Sequence, residues 1–149
     1  MTVPMHASWT NYFQNVSDLK AGSDFGVVGR VKAVSEVMEP RDQPVYRMIT
    51  LAVEKTVWNP ESSFEIPSEI TFMQTGGVAR GVEHVIEGDP LFALNEHAVV
   101  FFEQYADGKY RLVGGPSGRF RLNASDEVVP VVGDGVQVPA GRGVDSVFK

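Results

Sequence analysis

Residues 97–112 read HAVVFFEQYADGKYRL, and this segment decides the fold. The positions from Ala98 to Phe102 are apolar without a break, which predicts a central strand that is covered on both faces. Asp107 and Gly108 follow, and this pair is one of the strongest short hairpin signals because both residues tolerate positive φ. The segment therefore predicts a buried strand, a tight turn and a second strand that pairs back on the first.

Two long segments upstream show the period-two alternation of strands. They read FGVVGRVKAVSEV (residues 25–37) and VYRMITLAVEKTVW (residues 45–58). Both exceed the usual length of about five to six residues, so we expect bent strands, with Gly29 at a bend or bulge. The turn-forming sequence EPRDQP lies between them and predicts a hairpin.

The rest of the chain adds shorter strands. EITFM (residues 69–73) is predicted as one, and GRFRLNA (residues 118–124) as another, with Phe120 and Leu122 pointing inward. If this last strand pairs antiparallel with the one before it through the turn GGPSG, the basic residues of the two strands share one outer face. A late hairpin is predicted around Gly133–Gly135, and Pro130 confines its first strand to an edge.

Residues 8–21 predict a short amphipathic helix. Trp9, Phe13 and Val16 recur at helical spacing, Ser8 or Thr10 is the expected N-cap, and Gly22 suits the position after the helix. The predicted fold is mainly β: a small antiparallel barrel of five or six strands with a short N-terminal helix. We expect a single domain over residues 1–149, with the barrel at 25–123 and a C-terminal extension at 124–149.

Length and composition favour an ordinary globular protein. The chain has 149 residues, 43% hydrophobic and 21% charged, which is far from the disordered range. Its net charge of −6 argues against a nucleic-acid partner, whose affinity depends on neutralising phosphates with Lys and Arg. The chain has no cysteine, so disulfides, thiolate metal sites and a cysteine nucleophile are excluded. No apolar run approaches the roughly 20 residues of a membrane span.

The glycine-rich stretch QTGGVARGVEH (residues 74–84) raises the question of a phosphate loop. Gly76 and Gly81 have the right separation, but Val82 and Glu83 stand where the motif needs Lys and Ser or Thr. We therefore expect no nucleotide and no cofactor there. The interpretation that we prefer is that Gly76, Gly77 and Gly81 let the backbone turn through positive φ at the end of a strand.

Four segments in order carry a resemblance. They are VVGRVKAV (27–34), ITLAVEKTVW (49–58), EITFMQTGG (69–77) and EGDPLFALNEHAVVFFEQYADGKYRLVGGPSGRFRL (87–122). Together they resemble a widespread, poorly characterised bacterial exported domain, over residues 25–123. The loop WNPESSFEIPSE (58–69) departs from that pattern, because it is longer and lacks the usual Lys-Gly turn.

The resemblance implies a barrel like that of oligonucleotide/oligosaccharide-binding (OB) proteins. This fold is also distantly similar to tissue-inhibitor-of-metalloproteinase and netrin-like domains. Those inhibitors engage zinc through a free amino-terminal cysteine, which this chain lacks, so that mechanism is not carried over.

Metal binding and catalysis find little support in the sequence. His84 and His97 have acidic neighbours but no zinc spacing such as H-x-x-x-H or H-E-x-x-H, so we expect no metal site. Ser117 lies in GGPSGRF without the strand-to-helix elbow of a nucleophilic serine. We therefore expect no catalytic residue and a non-enzyme.

A basic group offers the candidate binding surface. Lys109, Arg111, Arg119 and Arg121 are predicted to share one outer face by alternation, where they could grip an acidic protein or a polyanionic glycan. The plain alternative is a solvated face with exposed ion pairs worth about 0–1 kcal/mol each. Two loops, around Arg80 and Arg119, are the predicted contact regions. The candidate binding residues are Gly76, Gly77, Arg80, Gly81, His84, Arg111, Arg119 and Arg121.

The predicted function is a non-catalytic extracytoplasmic binding or interaction module, with association with a protease as one form of it. The partner is an unknown protein or glycan, not nucleic acid or nucleotide. The alternative is a hydrolase that uses carboxylates near the glycine-rich loop 76–89. We expect a secreted or cell-envelope protein whose export signal precedes the abrupt start MTVPMHASWT, while the composition is equally compatible with the cytosol.

Overall fold

The computed structural model describes residues 2–5, 13–37, 46–60, 65–79, 81–86, 88–131, 135–139 and 141–148. The strands are β1 (Thr2–Met5), β2 (Phe25–Val37), β3 (Tyr46–Trp58), β4 (Glu69–Thr75), β5 (Gly77–Ala79), β6 (Val82–Ile86), β7 (His97–Ala106), β8 (Lys109–Leu112), β9 (Arg119–Leu122) and β10 (Val128–Pro130). Two short helices, α1 (Val16–Ala21) and α2 (Val144–Val147), and a 3₁₀ turn (Gly115–Gly118) complete the described structure. The protein is mainly β, as predicted.

Seven strands form one antiparallel sheet. Its order is β10-β9-β7-β2-β3-β4, and β8 pairs with β7 beside β9. The central position predicted for β7 is confirmed, because it pairs with β2 along one edge and with β8 and β9 along the other. The β7–β8 hairpin turns at Asp107 and Gly108, as predicted, with Gly108 at φ 67°.

β8 does not pair with β9, so the condition for the shared basic face is not met. Both strands are antiparallel to β7, with Arg111 opposite Glu103 and Arg121 opposite Ala98, so they run in the same direction along one edge. The 3₁₀ turn between them makes a local excursion and returns the chain to that edge. Ser117 closes this turn, since its Oγ donates to the Gly114 carbonyl oxygen at 2.6 Å.

The long β2–β3 hairpin is confirmed over its described strands. Its register shifts at three places, one of them between Val28 and Gly29, which is the bulge predicted at that glycine. Bulges increase the local twist and bend of a strand. β2 pairs with β3 along most of its length on one edge and with β7 from Phe25 to Arg30 on the other.

The closed barrel is not confirmed. β4 lies beside β8, with Cα atoms of the two strands within 8 Å of each other. Both strands are fully described, and no ladder joins them, so the seven-stranded sheet stays open along this line. We call the line between β4 and β8 the seam.

A second, three-stranded sheet occupies the region predicted as a glycine loop. β6 pairs antiparallel with β5 and parallel with β1. The prediction of a loop over residues 76–89 is therefore wrong for most of its length, because two short strands form there. The predicted turning of the glycines is confirmed: Gly76, Gly77 and Gly81 have φ of 101°, 141° and 75°.

The N-terminal helix begins later than predicted. α1 starts at Val16, after Asn15, whose side-chain oxygen accepts from the Asp18 backbone N–H at 2.8 Å and so caps the helix. Ser8 and Thr10, the predicted caps, lie outside the described residues. Gly22 follows the last helical residue, as predicted.

Both faces of β7 are covered by apolar side chains. One buried cluster includes α1, α2 and the last residues of the chain: Leu19, Val28, Val99, Phe101, Val113, Phe120, Leu122, Val128, Val136, Val144, Val147 and Phe148. The other lies on the opposite face of β7: Phe25, Val27, Val31, Ile49, Leu51, Ile70, Phe72, Phe92, Ala98, Val100 and Phe102. At about 1.5–3 kcal/mol for each fully buried large side chain, these clusters are the main stabilising element.

The C-terminal extension departs from the predicted hairpin. β10 is an edge strand that ends at Pro130, as expected. No strand forms in residues 135–139, because the Gln137 N–H donates to the carbonyl of Gln14 instead of to β10. On its other side, Val128 of β10 donates to the Arg142 carbonyl. Gly133 and Asp134 lie outside the described residues.

Candidate functional site

The predicted binding residues fall on the two different sheets. Gly76, Gly77, Gly81 and His84 belong to the small sheet and its turns, where His84 pairs with Gly77 across the β5–β6 ladder. Arg111, Arg119 and Arg121 lie along the edge of β7 in the main sheet. Arg80 lies outside the described residues.

Arg119 is not the exposed anchor that we predicted. Its side chain is 0% exposed, whereas that of Arg121, two residues on, is 45% exposed. The alternation along β9 is as predicted, with Phe120 and Leu122 on the opposite face. The prediction fails because the segment Gly88–Glu96, which we call the cover loop, lies over the face that was assumed to meet solvent.

The cover loop surrounds the guanidinium of Arg119 with acceptors. Nη1 donates to Asp89 Oδ1 at 3.1 Å and to the Pro90 carbonyl at 2.6 Å, and Nη2 donates to Glu96 Oε2 at 3.0 Å. The guanidinium carbon lies 3.5 Å from the ring centroid of Phe92. Arg119 therefore holds both ends of the loop through charge-assisted hydrogen bonds.

Two further buried polar side chains hold the middle of the cover loop. Arg47 of β3 donates from Nη2 to the Phe92 carbonyl at 2.6 Å. Gln74 of β4 donates to the Pro90 carbonyl and accepts from the Phe92 N–H, both at 3.0 Å. The loop is thus fixed to three strands of the main sheet by its own backbone groups.

Burial shifts the pKa values of Arg119, Arg47 and Asp89 in the direction that favours their neutral forms. Desolvation lowers the pKa of Arg119 against the attraction of Glu96 and Asp89, and it lowers the pKa of Arg47 against Glu36. Desolvation also raises the pKa of Asp89, although the Arg119 guanidinium opposes this shift. Removing these charges from water is therefore only partly compensated by their mutual attraction.

Asp89 should give the protein a measurable pH dependence. Since its pKa is raised on folding, the folded protein binds this proton more tightly than the unfolded chain does. Its contribution to the free energy of unfolding is present at low pH and is lost as the pH rises through the raised pKa. We expect the stability of the wild type relative to Asp89→Asn to increase as the pH falls from 7 towards about 4, by at most about 1.4 kcal/mol per pH unit.

Urea unfolding of both proteins across this range measures the effect. Asp107→Asn removes a carboxylate from the exposed β7–β8 turn and serves as the matched control. A difference between wild type and Asp89→Asn that stays flat, or that shrinks towards acid pH, would contradict the shift.

A groove crosses the seam on the outer face of the main sheet. We call it the seam groove; its volume is about 540 Å³, and it is lined by Met48, Thr71, Phe72, Met73, Tyr105, Gly108, Lys109, Tyr110 and Arg111. Met73 is 53% exposed and Tyr105 is 52% exposed, so two of the exposed large apolar residues of the described chain meet at this one place. Such clustering marks an interaction site more often than scattered exposure does.

The charges of the seam groove oppose those of the whole protein. Its lining includes the cations of Lys109 and Arg111 and no carboxylate, in a chain of net charge −6. The guanidinium of Arg111 stacks on Tyr105, 4.3 Å from the ring centroid, and its Nε lies 3.3 Å from Glu103 Oε1 at the edge of the groove. Arg111, one of the predicted binding residues, therefore has an ordered position on this surface.

His97 lies in a second pocket, of about 470 Å³, between the main sheet and α2. Its Nε2 is 2.7 Å from Glu54 Oε1 and its Nδ1 is 3.7 Å from Asp126 Oδ1. His84 is on the other sheet, so the structure does not bring the two histidines into one site. Among the described residues, no group of three or more His, Asp or Glu side chains has the geometry to hold a metal ion.

Sequence reasoning missed the residues that make the groove apolar and the cover loop rigid. No role was predicted for Met48, Met73 and Tyr105, or for Gln74 and Arg47. The signal for Arg47 was present, because it occupies the inward position of the alternation that Ile49 and Leu51 continue. No sequence signal shows which residues meet across the seam.

The chain matches no protein-family model and no curated protein at a significant level. In the part of the chain that the structure describes, no helix is long and apolar enough to cross a membrane.

Proposed function

We propose that this protein is a non-catalytic, extracytoplasmic binding module whose ligand site is the seam groove. The observation that carries the proposal is the composition of the groove: exposed Met73 and Tyr105 beside Lys109 and Arg111, with no carboxylate in the lining of an acidic protein. Apolar walls with a few charged groups are typical of binding sites. The extracytoplasmic location rests on the resemblance to exported domains.

The topology supports an OB-like origin for the groove. Five strands of the main sheet pair in the order β4-β3-β2-β7-β8, so the first of them in sequence, β2, pairs with both the second and the fourth. OB folds are partly open five-stranded barrels that bind ligands on the face of their second and third strands and beside the loop between the fourth and fifth. The corresponding elements here are β3, β4 and the turn at Asp107 and Gly108, and all three line or border the seam groove.

The alternative function, a hydrolase that uses carboxylates in residues 76–89, is less well supported by the geometry. Asp89 is buried and its Oδ1 accepts from Arg119, so it is not available to a substrate. Glu83 is exposed on β6. Turnover of ester, peptide or glycoside substrates that is lost in Glu83→Gln would favour this alternative over the binding module.

Charge reversal in the groove tests the proposal. We expect the double variant Lys109→Glu/Arg111→Glu to bind at least 10-fold more weakly than wild type to the probe that wild type prefers, because both cations line the groove and reversal makes them repel an anionic partner. The probes are arrays of random peptides, of sulfated glycans and of neutral glycans, and the measurement is the dissociation constant of the strongest binder.

Lys55→Glu/Arg142→Glu is the matched control. It makes the same change of net charge at two exposed positions outside the groove, so it reports the effect of overall charge alone. Equal losses in the two double variants, or wild-type binding by the groove variant, would show that the seam groove is not the site. Binding to no probe at all would contradict a binding function of this surface.

A further inference from the structure

We propose that the partner in the seam groove is an extended acidic peptide, which pairs as an added strand between β4 and β8. The inference rests on the proposed function and goes beyond it by naming the occupant. Strand addition uses the free backbone groups of a sheet edge for affinity and the neighbouring side-chain pockets for specificity. The seam provides two such edges, and each can be described from its ladder.

The free groups of β4 follow from its pairing with β3. Val53 N–H donates to the Ser68 carbonyl at 2.9 Å, and the register continues from that pair along the ladder. In an antiparallel ladder only alternate residues exchange hydrogen bonds with the partner strand. Ile70, Phe72 and Gln74 therefore direct their peptide groups towards β3, while Thr71 and Met73 direct theirs into the seam.

The free groups of β8 follow in the same way. Val113 N–H donates to the Phe101 carbonyl at 3.0 Å, and two residues earlier Arg111 lies opposite Glu103 of β7. Arg111 thus uses its peptide groups towards β7, whereas Tyr110 and Leu112 direct theirs into the seam. Within the described residues, two rows of donors and acceptors thus lie outside any ladder on the facing edges of β4 and β8.

The two edges have compatible directions. β8 is antiparallel to β7, and the pairings from β7 through β2 and β3 to β4 are all antiparallel, so β4 and β8 run the same way. One strand that enters in the opposite direction is therefore antiparallel to both. Antiparallel pairing is slightly the more stable arrangement per residue.

The seam must widen to accept a strand. Two ladder spacings require about 9.6 Å between the outer strands, and β4 and β8 have Cα atoms within 8 Å. Since no ladder joins them, the separation breaks no backbone hydrogen bond between the two. Widening is thus an essential and testable step of this binding mode.

The lining selects a peptide with alternating apolar and acidic residues. On the outer face, Lys109 and Arg111 provide the cations for carboxylates. On the inner face, Phe72 and Tyr110 offer apolar surface to the residues in between. Side chains of an added strand alternate between the two faces of the sheet. A glycan could meet the cations, but it has no row of amide donors and acceptors at strand spacing to match the two edges.

A disulfide across the seam tests this inference. Because the chain has no cysteine, Met73→Cys/Lys109→Cys contains only the intended pair and can be compared with itself, reduced and oxidised. The probe is a phage-displayed library of random eight-residue peptides, enriched on wild-type protein. We expect the enriched peptides to alternate apolar residues with Asp or Glu, and to bind the oxidised variant at least 10-fold more weakly than the reduced one.

A second arm keeps the test independent of disulfide formation. The same peptides should bind at least 10-fold more weakly to Lys109→Glu/Arg111→Glu, and replacing each Asp or Glu of a peptide by Asn or Gln should cause a comparable loss. Peptides that bind the cross-linked protein unchanged, or enriched peptides without acidic residues, would overturn strand addition. If no peptide is enriched but a sulfated glycan binds through Lys109 and Arg111, the proposed binding function holds and the peptide partner is wrong. If neither peptide nor glycan binds, both proposals are wrong.

Discussion

Arg119→Met is expected to lower the free energy of unfolding by about 3–5 kcal/mol, the usual cost of removing one partner from a buried ion pair. The substitution keeps an unbranched side chain of similar length but removes both ion pairs that Arg119 makes with the cover loop. Asp89 and Glu96 would then be left with side chains that are 9% and 8% exposed and without the cation that both contact. The Pro90 carbonyl would lose the shorter of its two hydrogen bonds.

Equilibrium unfolding in urea, followed by tryptophan fluorescence, measures this loss. Arg121→Met is the matched control, because Arg121 lies on the same face of β9 and contacts the same Glu96 oxygen at 3.6 Å, yet is 45% exposed. Exposed pairs contribute about 0–1 kcal/mol, so we expect a small effect there. Similar losses in the two variants would mean that burial does not distinguish these arginines.

Arg119→Lys separates charge from shape. Lysine keeps the positive charge but cannot reproduce the planar fork that reaches Asp89, Pro90 and Glu96 together. We expect a stability between those of wild type and Arg119→Met. If Arg119→Lys had the same free energy of unfolding as wild type, the positive charge alone would be sufficient to hold the cover loop.

Arg119 also shows how far the sequence could predict the site. Alternation placed Arg119 on the face of β9 opposite to Phe120, and this was correct. What covers that face is a loop 23–30 residues earlier in the chain, as measured from Glu96 and Asp89 to Arg119. Period-two patterns report which residues share a face, and they carry no information about which distant segment lies on it. A buried arginine in a strand consequently looks like an exposed one.

The long strands could be predicted from the sequence more easily than the short ones. β2, β3 and β7 have 10–13 residues each, enough for alternation or an unbroken apolar run to stand out. β5 has three residues and β6 five, and the glycines that suggested a loop stand at their ends. β1 depends on a parallel pairing with β6, a contact of high sequence separation that local propensity cannot indicate. The start of α1 was a missed local signal, since Asn15 followed by Asp18 is a usable cap.

Whether the barrel closes could not be predicted from the sequence, for a different reason. The five antiparallel strands were predicted, but whether β4 and β8 form a ladder depends on their separation after every bulge and twist has been added. The register shifts in β2 are small local events whose effect accumulates across the sheet. The seam groove, and with it the proposed function, is a consequence of that accumulated geometry.

Gly118→Ala is the second change for which we expect a large loss, of about 3 kcal/mol or more in the free energy of unfolding. A Cβ at position 118 would overlap the Val113 carbonyl oxygen and lie 2.9 Å from its carbon. This contact is with backbone rather than with a flexible side chain, so relief requires the 3₁₀ turn to move. Overpacking that forces such shifts costs about 1–3 kcal/mol even where neighbours can adjust.

The turn has little freedom to make that adjustment. Val113 N–H donates to the Phe101 carbonyl of β7 at 3.0 Å, which fixes one side of the turn to the central strand. Ser117 Oγ, on the other side, donates to the Gly114 carbonyl and accepts from the Phe13 N–H at 3.1 Å. Displacing Gly118 would therefore disturb the alignment of β9 with β7 and the attachment of the segment that precedes α1.

Gly108→Ala is the control that separates close packing from backbone conformation. Gly108 has φ 67°, and nothing lies within 4 Å of a Cβ placed there, so alanine should cost only the roughly 1–2 kcal/mol of the left-handed region. Urea unfolding of the two variants compares them directly. Equal losses in the free energy of unfolding would show that the 3₁₀ turn accommodates a Cβ at position 118. Gly118 would then not be required for β8 and β9 to run along one edge of β7. A loss in Gly118→Ala at least 1 kcal/mol larger would instead identify the contact with Val113 as the constraint that makes the excursion between the two strands so tight.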